Sequence, residues 1–269
     1  MLSTKGCQTS ASTLRRHFDS FLDQPPQLQK LTKRQTIWLK ADGKYFGHWG
    51  CITVFKAGQR ITSWDFVTRE NYLNYTYSFC RLTESGYDIL GLTSDWHGSL
   101  VSAFKSLFPK RPHQRCLVHT QMFGETFLTR RPETQAGKDL LEIVKLLNVI
   151  KNNNDREIWL AWFVRWEERY LTFVNQRSWS TDGPKHWWYT HKNVRKVYRS
   201  LKTSLDHLFL YLDHPGLEKD TNGLEAEFTH LKQKLAVHKG LKQHRKVNLI
   251  KWYFHLKTER WNHPKTNAN

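Results

Sequence analysis

The chain has 269 residues, room for one large domain or two modest ones, and carries 42 Lys and Arg against 24 Asp and Glu, a net charge of +18. Such an excess costs self-repulsion unless a polyanion is bound, so DNA or RNA is the leading partner and an anionic membrane surface the competitor. No apolar stretch approaches the roughly 18 residues that span a bilayer, no hydrophobic signal core opens the chain, and the four cysteines form no CxxC pair. The expectation is therefore a protein with no membrane span, not secreted, whose Cys7, Cys51, Cys80 and Cys116 are free thiols in a reducing compartment.

Residues 1–26 read as a separate element. Leu14, Phe18, Phe21 and Leu22 form a helical stripe that Ser10 or Ser12 can cap, and Arg15 and Arg16 lie off it, facing outward. This resembles the recognition helix of a helix-turn-helix module, with a solvated or docked terminal helix as the plainer alternative. Pro25-Pro26 marks the boundary.

Residues 27–120 alternate strands and helices. Ile37, Trp38 and Leu39 lead to Asp42, a turn through Gly43 and Lys44 follows, and Cys51 to Phe55 form a second strand. Ala57-Gly58-Gln59 fits a hairpin turn before a third strand from Ile61 to Val67. The aromatic run from Tyr72 to Leu82 predicts a helix, with strand the alternative over 72–77. A strand from Asp88 then ends at Asp95. A helix from Ser99 or Leu100 stops at Pro109, and 114–118 reads as a fifth strand. Three antiparallel strands, helix, strand, helix, strand is the order of a ribonuclease-H-like mixed α/β sheet. There Asp42 and Asp95 would end neighbouring strands, which lie about 4.8 Å apart.

Residues 121–220 lack strand character and predict an all-helical insertion. Leu140, Leu141, Val144, Leu147 and Val149 or Ile150 make one stripe, and Ile158, Trp159, Trp162, Phe163, Trp166 and Tyr170 another, read as core. A later helix carries Arg195, Lys196, Arg199 and Lys202, for phosphate or simply for solvent. In residues 221–269, Thr221 or Asn222 caps a last catalytic helix in which Leu224, Phe228, Leu231 and Leu235 are buried. Glu225 stands in its first turn beside that stripe; Glu227 is the reserve candidate.

Four pieces then carry a resemblance: ADGKYFG with Asp42, TSDWHGSLVSAFKSLFP with Asp95, HQRCLVHTQ with Cys116 and His119, and TNGLEAEFTHLKQKLAVHKGL with Glu225. Over roughly residues 36–255 the chain resembles the catalytic region of a DDE-type transposase, of the Mutator and bacterial insertion-sequence kind with a helical insertion. The resemblance implies metal-dependent cleavage and transfer of DNA strands at transposable-element ends. It also implies double-stranded DNA as partner, a homo-oligomer assembled on it, and a bacterial cytoplasm with its nucleoid as the place of action. Members carry end-binding domains before this region, so the expectation is a truncated or degraded copy or one product of a split gene, with its catalytic carboxylates retained.

Two-ion phosphodiester chemistry needs oxygen ligands for Mg2+ or Mn2+. Asp42 would bridge the ions, with Asp95 on one and Glu225 on the other. Trp96 and His97, beside Asp95, are candidates for positioning DNA or water. Lys44 and Lys232 could touch phosphates, as could Arg15 and Arg16. His113, Cys116 and His119 make an H-x-x-C-x-x-H string without an evident fourth ligand for zinc, so the Cys116–His119 pair is expected to pack or hydrogen-bond beside the pocket. The rivals are a non-catalytic DNA-binding or regulatory derivative and a ribonuclease-H-like nuclease without strand transfer.

Overall fold

The structure is a computed structural model that describes residues 9–24, 33–180 and 186–262. It is an α/β protein whose main sheet has five strands in the order β3-β2-β1-β4-β5. The strands are β1 (Gln35–Tyr45), β2 (Cys51–Ala57), β3 (Arg60–Val67), β4 (Tyr87–Ser94) and β5 (His113–Arg115). β2 and β3 pair antiparallel and β4 and β5 parallel, so the sheet is mixed. The helices are α1 (Ala11–Leu22), α2 (Tyr72–Glu84), α3 (Gly98–Leu107), α4 (Leu117–Leu128), α5 (Gln135–Lys145), α6 (Asn153–Val174), α7 (Lys192–Lys202), α8 (Leu210–Asp213), α9 (Asn222–Val237) and α10 (Gln243–Asn262).

The chain divides into two compact units, and β1 contributes to both. The first comprises Met1–Gln35, Asp42–Asp88 and Gly223–Asn269. Strand alternation gives β2 two apolar faces. Phe55 meets Tyr75 and Phe79 of α2 edge-on. Ile52 and Val54, with Ile61 and Trp64 of β3, instead bury Leu224, Phe228 and Leu231 of α9 and Ile250 and Phe254 of α10. α1 docks on α10, where Phe21 stacks on Trp252 at 3.9 Å and Asp19 pairs with Arg245 at 2.9 Å. Ser10 caps α1, and Arg15 and Arg16 are exposed, but so are Leu14, Phe18 and Phe21 of the expected stripe, with only Leu22 buried. The Pro25-Pro26 boundary lies outside the described residues.

The second unit comprises Thr36–Ala41 and Ile89–Asn222. Its core is a helical cluster in which Leu140, Val144, Leu147, Trp159, Phe163, Val197 and Leu201 are buried. The indole N–H groups of Trp159 and Trp166 donate to the carbonyls of Ile143 and Ala136, at 2.8 and 2.9 Å, which lets two tryptophans sit in an apolar core without an orphan donor. Gly124 brings α4 against α5: a Cβ there would lie 2.6 Å from the Val144 side chain.

Several expectations need correcting. β1 runs through Asp42-Gly43 instead of ending there, and the turn comes at 46–50, where Gly47 and Gly50 take positive φ. Pairing along β1 overrides the local hairpin preference of Asp-Gly. Residues 121–220 are not all helical, because β6 (Arg177–Trp179) and β7 (Trp187–Tyr189) form an antiparallel hairpin. Two three-residue runs are too short for periodicity to reveal. The fifth strand closes at Arg115 because Cys116 begins α4 as its N-cap. Ile158 and Trp162 are exposed, and of the alternatives at the end of the α5 stripe Ile150 is buried and Val149 exposed.

Candidate metal centre

Asp42 lies within β1, only 5% exposed, and its Oδ1 accepts the Gly43 N–H at 2.8 Å. A Cβ on Gly43 would meet the Glu70 carboxylate, which bonds Tyr75 of α2. Gly43 therefore faces α2, and alternation turns Asp42 to the opposite face, the one α9 covers. Leu224 anchors α9 on that face, and its neighbour Glu225 follows in the first turn, half-buried. Asp42, His119 and Glu225 each offer one ligand atom, and these atoms all lie within 4.8 Å of one another. An acid on a strand, an acid at a helix start and an imidazole thus form a group that could hold a metal ion.

His119 arrives by way of α4. Cys116 is anchored by its N–H to the Ser94 carbonyl at 2.7 Å, and His119 stands one turn further on. The Thr221 hydroxyl lies 3.4 Å from Cys116 Sγ and 3.3 Å from His119 Nδ1, so it orients the ring. Thr221 is itself positioned by its neighbours: Glu218 pairs with Lys40 at 2.6 Å, and the Lys219 carbonyl accepts the Leu117 N–H at 3.0 Å. Cys116 and His119 thus share Thr221 as a neighbour, and His119 also enters the ligand group. Its signal in the sequence was the C-x-x-H spacing at a helix start, which carries the histidine one turn inward. Thr221, read only as a cap, was missed as a partner of both.

Among the described residues the one group of three or more possible metal ligands takes His119 from the H-x-x-C-x-x-H string and not His113 or Cys116. His113 Nε2 instead lies 2.8 Å from Ser94 Oγ. Burial pushes its pKa down to about 3, with the charges of His207 and Lys105 adding to the fall.

Asp95 is not in the three-residue group. It follows β4 directly, and its Oδ1 accepts the His97 N–H at 3.0 Å. Arg115 is its charged neighbour: burial brings the guanidinium down to about 10, and Asp95 opposes that fall. Trp96, at φ 75°, packs between His113 and His207 at 4.8 and 4.6 Å, so its ring is engaged internally. His97 is half-buried at the start of α3. Lys44 shares a strand face with Asp42, two residues on, and Lys232 is exposed on α9 two turns from Glu225. Along α7, Lys202 is paired with Glu167 at 2.7 Å, and Arg195 and Lys196 lie over Tyr189 and Phe127 at 3.7 and 3.6 Å. Of these cations only Lys202 is neutralised by an acid, while Arg195 and Lys196 lie against rings and keep their charge.

No described helix is long and apolar enough to cross a membrane. Comparison with protein-family models and with curated proteins gives no match for the chain.

Proposed function

We propose that the chain is a metal-dependent transposase that cuts and joins DNA strands at the ends of a transposable element, built on a ribonuclease-H-like sheet. The observation that carries this reading is the approach of the Asp42 and Glu225 carboxylates, from a strand and a helix far apart in sequence, to within 4.8 Å. The order β1-β2-β3-α2-β4-α3-β5 supports the fold assignment.

The donor set fits a divalent ion. Ligands on one Mg2+ or Mn2+ at about 2.1 Å stand no more than about 4.2 Å apart, a range that separations within 4.8 Å match closely. Two carboxylate oxygens suit Mg2+, and the His119 nitrogen brings Mn2+ equally within range. Asp42, Glu225 and His119 would hold the first ion, and Asp95 is assigned to the second by the resemblance alone. When bound, such ions supply an activated oxygen nucleophile and charge relief at the departing 3′ oxygen.

The chain's own residues do the positioning. Thr221 fixes the His119 ring, and Lys44 and Lys232 present cations to backbone phosphates without reading sequence. Double-stranded DNA in a bacterial cytoplasm would be the substrate, taken up by a homo-oligomer.

The test is Mg2+- and Mn2+-dependent cleavage and joining of DNA carrying the element's terminal repeats. Asp42→Ala, Asp95→Ala and Glu225→Ala should each abolish both steps while DNA binding persists. Binding without cleavage in the unaltered chain would identify a non-catalytic DNA-binding derivative instead. Cleavage of RNA–DNA hybrids without joining would identify a nuclease.

A further inference from the structure

We infer that the β6–β7 hairpin is a stacking platform for the unpaired bases of single-stranded DNA, separate from the carboxylates and independent of any metal. The register pairs Arg177 with Tyr189 and Trp179 with Trp187, so these four side chains share one face of the ladder. On that face cations and rings alternate. The Arg177 guanidinium lies 4.3 Å from the Trp187 ring centroid and 5.9 Å from that of Tyr189, and Arg195 covers Tyr189 at 3.7 Å. Trp179, beside Trp187, is 68% exposed. The other face presents Trp188, 42% exposed, opposite Ser178.

A hairpin whose aromatics served only packing would bury them, since an indole left in water forgoes the largest hydrophobic gain of any side chain. This hairpin is also held at its root. Phe173 stacks on His191 at 3.6 Å, and the Thr190 N–H donates to the Gln176 carbonyl at 3.0 Å. The exposed tryptophans therefore sit on an anchored support.

Charge selects the occupant. Residues 177–195 carry one acid, Asp182, against Arg177, Lys185, Lys192 and Arg195, so the segment is cationic. The ligand that matches is one offering flat apolar faces at intervals along an anionic backbone. Single-stranded DNA does so, whereas a duplex hides its base faces.

The experiment uses the whole chain in EDTA, with fluorescence anisotropy of a labelled oligo(dT) of about 20 nucleotides, enough to fill a typical single-strand site. Trp179→Ala should weaken oligo(dT) binding about tenfold and leave duplex binding unchanged, and Trp179→Phe should retain most of it. Asp42→Ala should bind oligo(dT) like the unaltered protein, so loss of cleavage in that variant and loss of stacking in the other are read separately. The inference is overturned if Trp179→Ala and Trp188→Ala both bind as the parent does. It is equally overturned if an abasic strand competes as well as oligo(dT), or if phosphatidylglycerol vesicles bind the hairpin and oligo(dT) does not.

Discussion

Glu225 and Glu227 stand two positions apart on α9 and meet opposite fates. Glu227 pairs with Lys56 at 3.7 Å and Lys257 at 3.1 Å and accepts from the Tyr253 hydroxyl at 3.1 Å. Burial raises its pKa, but Lys257, Tyr253 and Lys56 together outweigh that and hold it below the usual carboxylate range. Because Lys56 is buried, Glu227→Ala should cost about 3 kcal/mol in chemical denaturation. Glu225→Ala should change stability by less than about 1 kcal/mol. Equal losses from the two would deny Glu227 its structural role. Both glutamates were visible in the sequence, but not the lysines that separate them, which come from β2 and α10. His113 makes a second prediction. A histidine with a depressed folded pKa takes its proton more readily when unfolded, so its contribution is full above the ordinary 6.5 and falls as pH drops toward about 3. Between pH 6.5 and 5 the loss should be about 2 kcal/mol, seen as a falling Tm. His113→Gln should flatten that slope; an unchanged slope would place the titration elsewhere.

At the scale of elements, the turn between β1 and β2 shows where sequence reading reached and where it stopped. Asp42-Gly43 satisfies the local rule for a hairpin, yet the strand continues and Gly50 does the turning at φ 139°. A Cβ on Gly50 would lie 2.4 Å from the Val67 carbonyl oxygen. Gly50→Ala should therefore cost about 2 kcal/mol or more, from backbone strain and collision together, in the same denaturation assay. A neutral result would mean that the turn relaxes freely. Caps were readable where a serine opens an apolar stripe, as with Ser10 before α1, although of that stripe only Leu22 is buried. The β6–β7 hairpin was not: its aromatics continue the aromatic helix before it, and only cross-strand pairing tells them apart. Trp162 misled for a related reason, since a helix rich in Trp carries more apolar surface than one stripe can bury.

For the whole molecule the governing quantity is charge. No Asp or Glu occurs between Phe228 and Thr258, a stretch that includes most of α9 and α10. Duplex affinity should accordingly fall steeply with salt, with a log–log slope near −0.9 for each phosphate neutralised. That slope should be the same for Asp42→Asn in metal-free buffer, and a salt-independent affinity would remove the polyanion reading. The three carboxylates could be chosen from the sequence because each follows a strand-like run or opens a helix. Which of them meet could not, since that depends on α9 lying across the β2–β3 face. The sequence also hid that an imidazole, His119, joins Asp42 and Glu225. The central claim is that Asp42 and Glu225 grip one ion, and titration calorimetry with Mn2+ tests it most directly. Each of Asp42→Asn and Glu225→Gln should weaken binding at least about tenfold, and the double variant should lose less than the two effects added, because they share a ligand. A parent chain that takes up no Mn2+, or single variants that bind it as tightly as the parent, would contradict the account.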